Sequence, residues 1–181
     1  ILRKIAELNF RKQKNIIGKY FTTDKNESVL DLGCGTGEFS PLFPAESYIG
    51  IDIDERNINY AKAHYQRKFL TADAKKLPFG ENSFSKILII GVLHHLSDDD
   101  CFGVMKEVRR VLKNGGSLIV MEDVNSPDIG FFSALMHRFD QGKFIRTSEE
   151  YSKLLEPHFI IAEKFFMKSG ICPYQVFFIN Q

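Results

Sequence analysis

A cluster of glycines, a spaced set of carboxylates and two adjacent histidines are the residues of this 181-residue chain whose types and spacing could do chemistry. In VLDLGCGTGEFS, Val29 to Ser40, the glycines Gly33, Gly35 and Gly37 alternate with other residues directly behind a short apolar run. Glycines after a buried strand let the chain turn tightly and let a ligand approach the main chain. The stretch therefore reads either as a bare strand-to-helix turn or as the cradle of a nucleotide-like molecule. GIDID places Asp52 about twenty residues after the first glycine, where an acid can accept hydrogen bonds from both hydroxyls of a ribose. Asp54 has the plainer role of a helix N-cap. In TADAKKLPF, Asp73 sits between alanines and ahead of Pro78, so its carboxylate can accept from an adenine amino group or cap the turn. IIGVLHHLSD sets Gly91, His94 and His95 just past another apolar run. Histidine titrates near neutral pH and suits proton transfer.

Strand ends must hold these residues. Val29–Leu32, Tyr48–Ile51, Lys68–Thr71, Lys86–Ile90 and Ser117–Met121 have the composition of buried strands. They alternate with helical patterns: Ile58, Ala61 and Tyr65 within Asp54–Tyr65, and Phe102, Met105, Val108 and Leu112 within Ser97–Leu112. That alternation predicts a parallel sheet wrapped by helices, whose ligand lies beyond the carboxyl ends of the strands. Ser97 and Asp100 are spaced to cap the second helix, and Lys113-Asn114-Gly115-Gly116 reads as its stop and turn. Thr147 and Glu150 are spaced as a capping box opening a short helix to Leu155. Phe159–Phe166 and Gln175–Ile179 are aromatic-rich strands around Gly170 and Pro173, expected as an antiparallel hairpin at a sheet edge.

Composition narrows the partners. The length suits a single domain, 1–181, and 44% hydrophobic residues suffice for a substantial core. A net charge of +1 sets up no field for nucleic acid or an acidic membrane. The basic residues Arg3, Lys4, Arg11, Lys12, Lys14 and Lys19 alternate with Ile5, Leu8, Ile16 and Ile17 as on the solvated face of a helix in an N-terminal region, 1–28. Cys34, Cys101 and Cys172 form no CxxC pair, and a reducing, cytoplasmic setting is expected. The longest apolar run, Ile87–Leu93, is too short to span a bilayer, and the N-terminus has no signal-peptide design. A start at Ile1 is read as a chain that has lost N-terminal residues.

Taken in order, VLDLGCGTGEFS, GIDID, TADAKKLPF, FSKILIIGVLHHLSD and VRRVLKNGGSLIVMEDV resemble the class I S-adenosylmethionine-dependent methyltransferases. The resemblance is to the broad group that includes the ubiquinone and menaquinone biosynthesis enzymes, and it covers roughly Val29 to Val124. It implies an α/β fold: a doubly wound, Rossmann-like, seven-stranded, mostly parallel sheet, with the last strand inserted antiparallel beside the fifth. It also implies that S-adenosylmethionine is held by Asp31, Gly33, Cys34, Gly35, Asp52, Ile53, Asp73, Ala74 and Gly91, with S-adenosylhomocysteine as product. Gly33 and Gly35 leave room for the amino acid and ribose parts, and Asp31 faces the ammonium directly or through water. Gly33-Cys34-Gly35-Thr36-Gly37 departs from the GxGxxG spacing of a nicotinamide-binding fold, where glycines bring a helix N-terminus to phosphate.

Methyl transfer from a sulfonium is an in-line displacement, so placing the acceptor supplies much of the catalysis. A hydroxyl acceptor needs a base, and an amine must bind unprotonated. His94 is expected to face the acceptor, because the family places a polar side chain there, and His95 to face helix or core. Both could instead cap the strand end. In LMHRFDQGKFIRTSEEY, His137, Arg138, Asp140 and Arg146 are further polar candidates within an expected acceptor-pocket insertion, 125–157. Asp140 and Arg146 could equally form an ion pair fixing that loop. Phe131, Phe132, Phe139 and Phe144 border it, as acceptor wall or as core in a chain with 17 phenylalanines. The absence of an Asn/Asp-Pro-Pro-Tyr sequence after the fourth strand disfavours nucleobase and glutamine methylation, and no cluster has metal-ligand spacing. The expected acceptor is a small or lipid-like molecule, methylated on oxygen, carbon or nitrogen. A catalytically silent module that binds the cofactor or a partner is the alternative, and a nicotinamide-dependent oxidoreductase the third.

Overall fold

The computed structural model describes residues 8–21, 27–125, 143–170 and 172–181. Among them lie seven strands of one sheet: β1 (Val29–Leu32), β2 (Tyr48–Asp52), β3 (Lys68–Thr71), β4 (Phe84–Ile90), β5 (Leu112–Asp123), β6 (Ile161–Ser169) and β7 (Cys172–Asn180). Their order is β3-β2-β1-β4-β5-β7-β6. The first five pair in parallel, β7 runs antiparallel beside β5, and β6 closes the edge antiparallel to β7. This is the doubly wound, Rossmann-like α/β sheet that the resemblance implies, with the C-terminal hairpin expected of the two aromatic-rich strands.

Both faces of the sheet are covered, which is why β1 and β4 are nearly continuous apolar runs. Side chains alternate between the faces. Leu30, Leu32, Ile87, Ile89, Leu118 and Val120 pack with Val104, Met105 and Val108 of helix α3 (Asp98–Val111) and with Tyr151 and Leu154 of α4 (Ser148–Leu155). Val29, Leu88, Ile119 and Met121 meet Ile17 of α1 (Arg11–Tyr20) and Ile58 and Ala61 of α2 (Glu55–His64). The expected caps are present. Asp54 accepts from the Arg56 amide at 2.9 Å, Ser97 from that of Asp100 at 3.3 Å, and Thr147 and Glu150 form a capping box. No helix of the described residues is long and apolar enough to cross a membrane.

Three boundaries differ from expectation. Phe159 does not open β6: its amide donates to the Leu155 carbonyl at 3.0 Å, closing α4, and its ring is buried in the core. β7 begins at Cys172, because pairing with β6 extends it past Pro173. The expected helix stop at Lys113–Gly116 lies inside β5, as an irregularity where the β4 partner changes from Leu112 to Ser117. Phe131, Phe132, His137, Arg138, Phe139 and Asp140 lie outside the described residues.

Candidate active site

In this strand order, connections from β1 and β4 leave toward opposite sides of the sheet, and a crevice opens beyond their carboxyl ends. There a cleft of about 860 Å³ is lined by the segments that follow β1, β2, β3 and β4. Asp31, Gly33, Cys34, Gly35, Asp52, Ile53, Asp73, Ala74 and Gly91 all line it.

The glycine loop turns at left-handed backbone angles, with φ of 73° at Gly33 and 52° at Gly35. The two glycines serve different needs. A Cβ at Gly33 would lie 2.4 Å from Val92 Cγ2, so the missing side chain there makes room for the turn after β4. A Cβ at Gly35 would meet no atom within 4 Å, so that position faces open cleft. Gly33 also lines the cleft, with Val92 over the place of its missing side chain.

Asp52 ties this loop to the end of β2. Its Oδ2 accepts from the Gly35 amide and its Oδ1 from the Asp54 amide, both at 2.8 Å. A carboxylate held by two backbone donors stays in place and retains acceptor capacity for hydroxyls. Asp31 is buried at the end of β1, where Tyr48 donates to its Oδ2 at 2.6 Å. Burial pushes its carboxyl up to about 7; the Tyr48 bond opposes the rise and Asp52 adds to it. Asp73 Oδ1 accepts from the Lys75 amide at 2.9 Å, the turn-capping role, while the residue also lines the cleft. Ile53 is 73% exposed, an apolar surface offered to the cleft beside Asp52. Burial raises the Cys34 thiol far above its usual range, which favours its neutral form.

The histidines differ in burial, in the reverse of the expected sense. His94 is fully buried, with Nδ1 2.8 Å from Glu122 Oε2 and Nε2 3.8 Å from Asp123 Oδ2, and it does not line the cleft. His95 is exposed and does line it. The reason is local. Leu93–His95 form a 3-10 turn, so side chains rotate by about 120° per residue instead of alternating as on a strand. Leu93 and His94 go inward and His95 goes out.

Arg146 belongs to the same region, and among the described residues its carboxylate partner is Asp98, whose Oδ1 accepts from Nη2 at 2.6 Å. Sequence reasoning passed over Glu122, which accepts from the amides of Val92 and Leu93 at 2.9 and 2.8 Å. An acid directly after the buried run Leu118–Met121, at a strand's carboxyl end, was the available signal. It also passed over Phe10, Lys75 and Tyr174, which line the cleft from distant parts of the chain.

Residues 30–120 match the family model described as "Methyltransferase domain". The demethylmenaquinone methyltransferase of Staphylococcus aureus (strain JH9) is 31% identical over 151 residues, covering 75% of this chain and 61% of that protein. That of Lactococcus lactis subsp. lactis (strain IL1403) is 35% identical over 106 residues, covering 52% and 41%. The chain spans about half the length of the curated relatives it matches. A solved structure from Pyrococcus horikoshii OT3 shares the fold, with a TM-score of 0.74 at 23% identity over 95% of this chain and 91% of that one. With the strand order and the lined cleft, these matches make the chain a member of the methyltransferase-domain family, within the class I S-adenosylmethionine-dependent methyltransferases.

Proposed function

We propose that this chain transfers a methyl group from S-adenosylmethionine to a small or lipid-like acceptor. The observation that carries the proposal is the open wall over Gly35, flanked by the fixed carboxylate of Asp52 and the buried one of Asp31. When bound, the cofactor supplies a methyl group on a sulfonium whose thioether leaves readily. Asp52 accepts from the ribose hydroxyls, Asp31 meets the ammonium, and Asp73 and Ile53 hold the adenine by its amino group and its face. Gly33, Cys34, Ala74 and Gly91 contribute backbone and small surface to the same wall. His95, on the exposed side of the turn after β4, takes the acceptor role expected of His94: its imidazole accepts the proton of a hydroxyl or an activated carbon, or keeps an amine unprotonated. Phe10 and Tyr174 give the cleft aromatic surface that suits an apolar acceptor.

Calorimetry with S-adenosylmethionine, S-adenosylhomocysteine and NAD tests the cofactor assignment, and heat from NAD alone overturns it. Incubation with metabolite extracts and S-adenosylmethionine, read by mass spectrometry for products heavier by one methylene, tests turnover. His95→Ala is expected to lower that turnover by about a hundredfold or more. Full turnover in His95→Ala, at normal melting temperature, removes the proton-transfer role and leaves placement alone to drive transfer.

A further inference from the structure

We infer that Glu122, together with His94 and Arg146, is a positioning unit that fixes the Leu93–His95 turn, and so sets Val92 against the glycine loop and His95 toward the acceptor. The last clause rests on the role proposed for His95; the remainder does not. A three-residue 3-10 turn at the mouth of a cleft begins with backbone N–H groups that have no partner within the turn. Here a buried carboxylate meets them. Glu122 Oε1 accepts from the Val92 and Leu93 amides at 2.9 and 2.8 Å, and Oε2 lies 3.4 Å from the His94 amide and 2.8 Å from His94 Nδ1. Against an oxygen already serving backbone donors, Nδ1 is the ring nitrogen assigned the proton.

The turn's carbonyls are taken up from the other side. Arg146 Nη1 donates to Leu93 O at 2.9 Å and Nη2 to Leu96 O at 2.8 Å, while the Phe144 amide donates to His94 O at 3.0 Å. Asp98 Oδ1 holds the guanidinium by accepting from Nε and Nη2, and the Tyr151 hydroxyl donates to the Asp123 carbonyl at 3.0 Å, steadying the end of β5. Apolar side chains of the same volume would support a core as well or better, but they would give the turn no direction. Bonds from charged groups to backbone donors and acceptors define one orientation. The consequence reaches the cleft twice. Val92 Cγ2 fills the space left by Gly33, and the His95 ring sits 4.1 Å from that of His94, centroid to centroid.

The test is Glu122→Gln in labelled protein without ligand, followed by titration with S-adenosylhomocysteine. Glutamine keeps the size and one acceptor oxygen but sets an NH2 group against the His94 donors. Amide exchange at Val92 and Leu93 is expected to quicken about tenfold or more, because their charged acceptor becomes a neutral one and the NH2 group, set against the His94 donors, pushes it out of place, with the amides of β1 and α3 unchanged. The His95 ring proton resonance, displaced in the wild type by the neighbouring His94 ring, moves toward its solvent-exposed position. Affinity for S-adenosylhomocysteine falls several-fold as Val92 loosens from Gly33. Unchanged exchange, resonance and affinity overturn the inference; so does exchange that quickens evenly across the sheet, the mark of a merely structural residue. If Glu122→Gln does not fold, the wild type decides: Val92 and Leu93 amides exchanging as slowly as those of β4 support the clamp, and rapid exchange there overturns it. His95→Ala leaves exchange at Val92 and Leu93 as it is, whatever it does to turnover, so failure of the His95 role and failure of the clamp are told apart.

Discussion

Gly35→Ala separates what the fold requires of the glycine loop from what the ligand requires. At φ of 52° an alanine pays the left-handed penalty, about 1–2 kcal/mol, and recovers about 0.4–1 kcal/mol through a less flexible unfolded chain. The new Cβ has no protein atom within 4 Å, so no clash adds to this. The net loss of about 1 kcal/mol corresponds to a melting temperature lower by about 2–4 °C in a chain of this size. Binding responds differently. If the cofactor passes over Gly35, a methyl group enters filled space, and overpacking of about 1–3 kcal/mol weakens affinity about 5- to 150-fold. Thermal denaturation gives the first quantity and calorimetry with S-adenosylhomocysteine the second. A melting point lowered as expected with affinity unchanged would show that the ligand does not lie over Gly35, and the placement of the cofactor would have to be abandoned.

Gly33→Ala is expected to do the opposite. Its Cβ, 2.4 Å from Val92 Cγ2, lowers stability by about 2–5 kcal/mol through overpacking and left-handed strain, and a melting point within a degree of wild type refutes the packing described. Asp31 makes stability and binding pH-dependent. Burial raises its carboxyl to about 7 in the free protein, so between about pH 4 and 7 the folded chain holds a proton that the unfolded chain has released, and stability falls as pH rises through that window. A bound ammonium favours the ionised form, so affinity for S-adenosylhomocysteine weakens below pH 7 by up to about tenfold per unit, and Asp31→Asn flattens the profile. A flat wild-type profile from pH 5 to 8 refutes this assignment. Asp52→Ala removes the acceptor of the Gly35 and Asp54 amides and weakens cofactor binding by about 1.5–3 kcal/mol, and unchanged affinity in calorimetry confines Asp52 to holding the loop.

The alternation of Val29–Leu32, Tyr48–Ile51 and Lys86–Ile90 with periodic helical segments was enough to specify the doubly wound sheet, because two-sided burial leaves its mark in every residue of a strand. The wall of the cleft was legible for a related reason. Asp31 and Asp52 lie in the last residues of their strands, Gly35 and Asp73 follow closely on theirs, and parallel strands carry their carboxyl ends to one edge whatever their order. Turn chemistry at Asp54, Ser97 and Thr147 was equally local, since a cap involves residues two or three apart.

Only the tertiary structure decided the sides that single residues face. His94 and His95 are neighbours of one type, and nothing within their own segment says which turns inward. The choice is made by Glu122, 28 residues from His94, whose carboxylate takes the turn's amides and draws the His94 ring into the interior. Gly33 and Gly35 look alike in the sequence, but Val92 fills the space over one and leaves the other open. Arg146 was a candidate for the acceptor, or for Asp140, which lies outside the described residues; among the described residues its guanidinium serves Asp98 and the carbonyls of the same turn. In each case the deciding partner comes from another part of the chain. Periodicity and spacing report which way a segment's own backbone can go, whereas the direction of a polar side chain depends on which distant donor or acceptor the packing brings within about 3 Å.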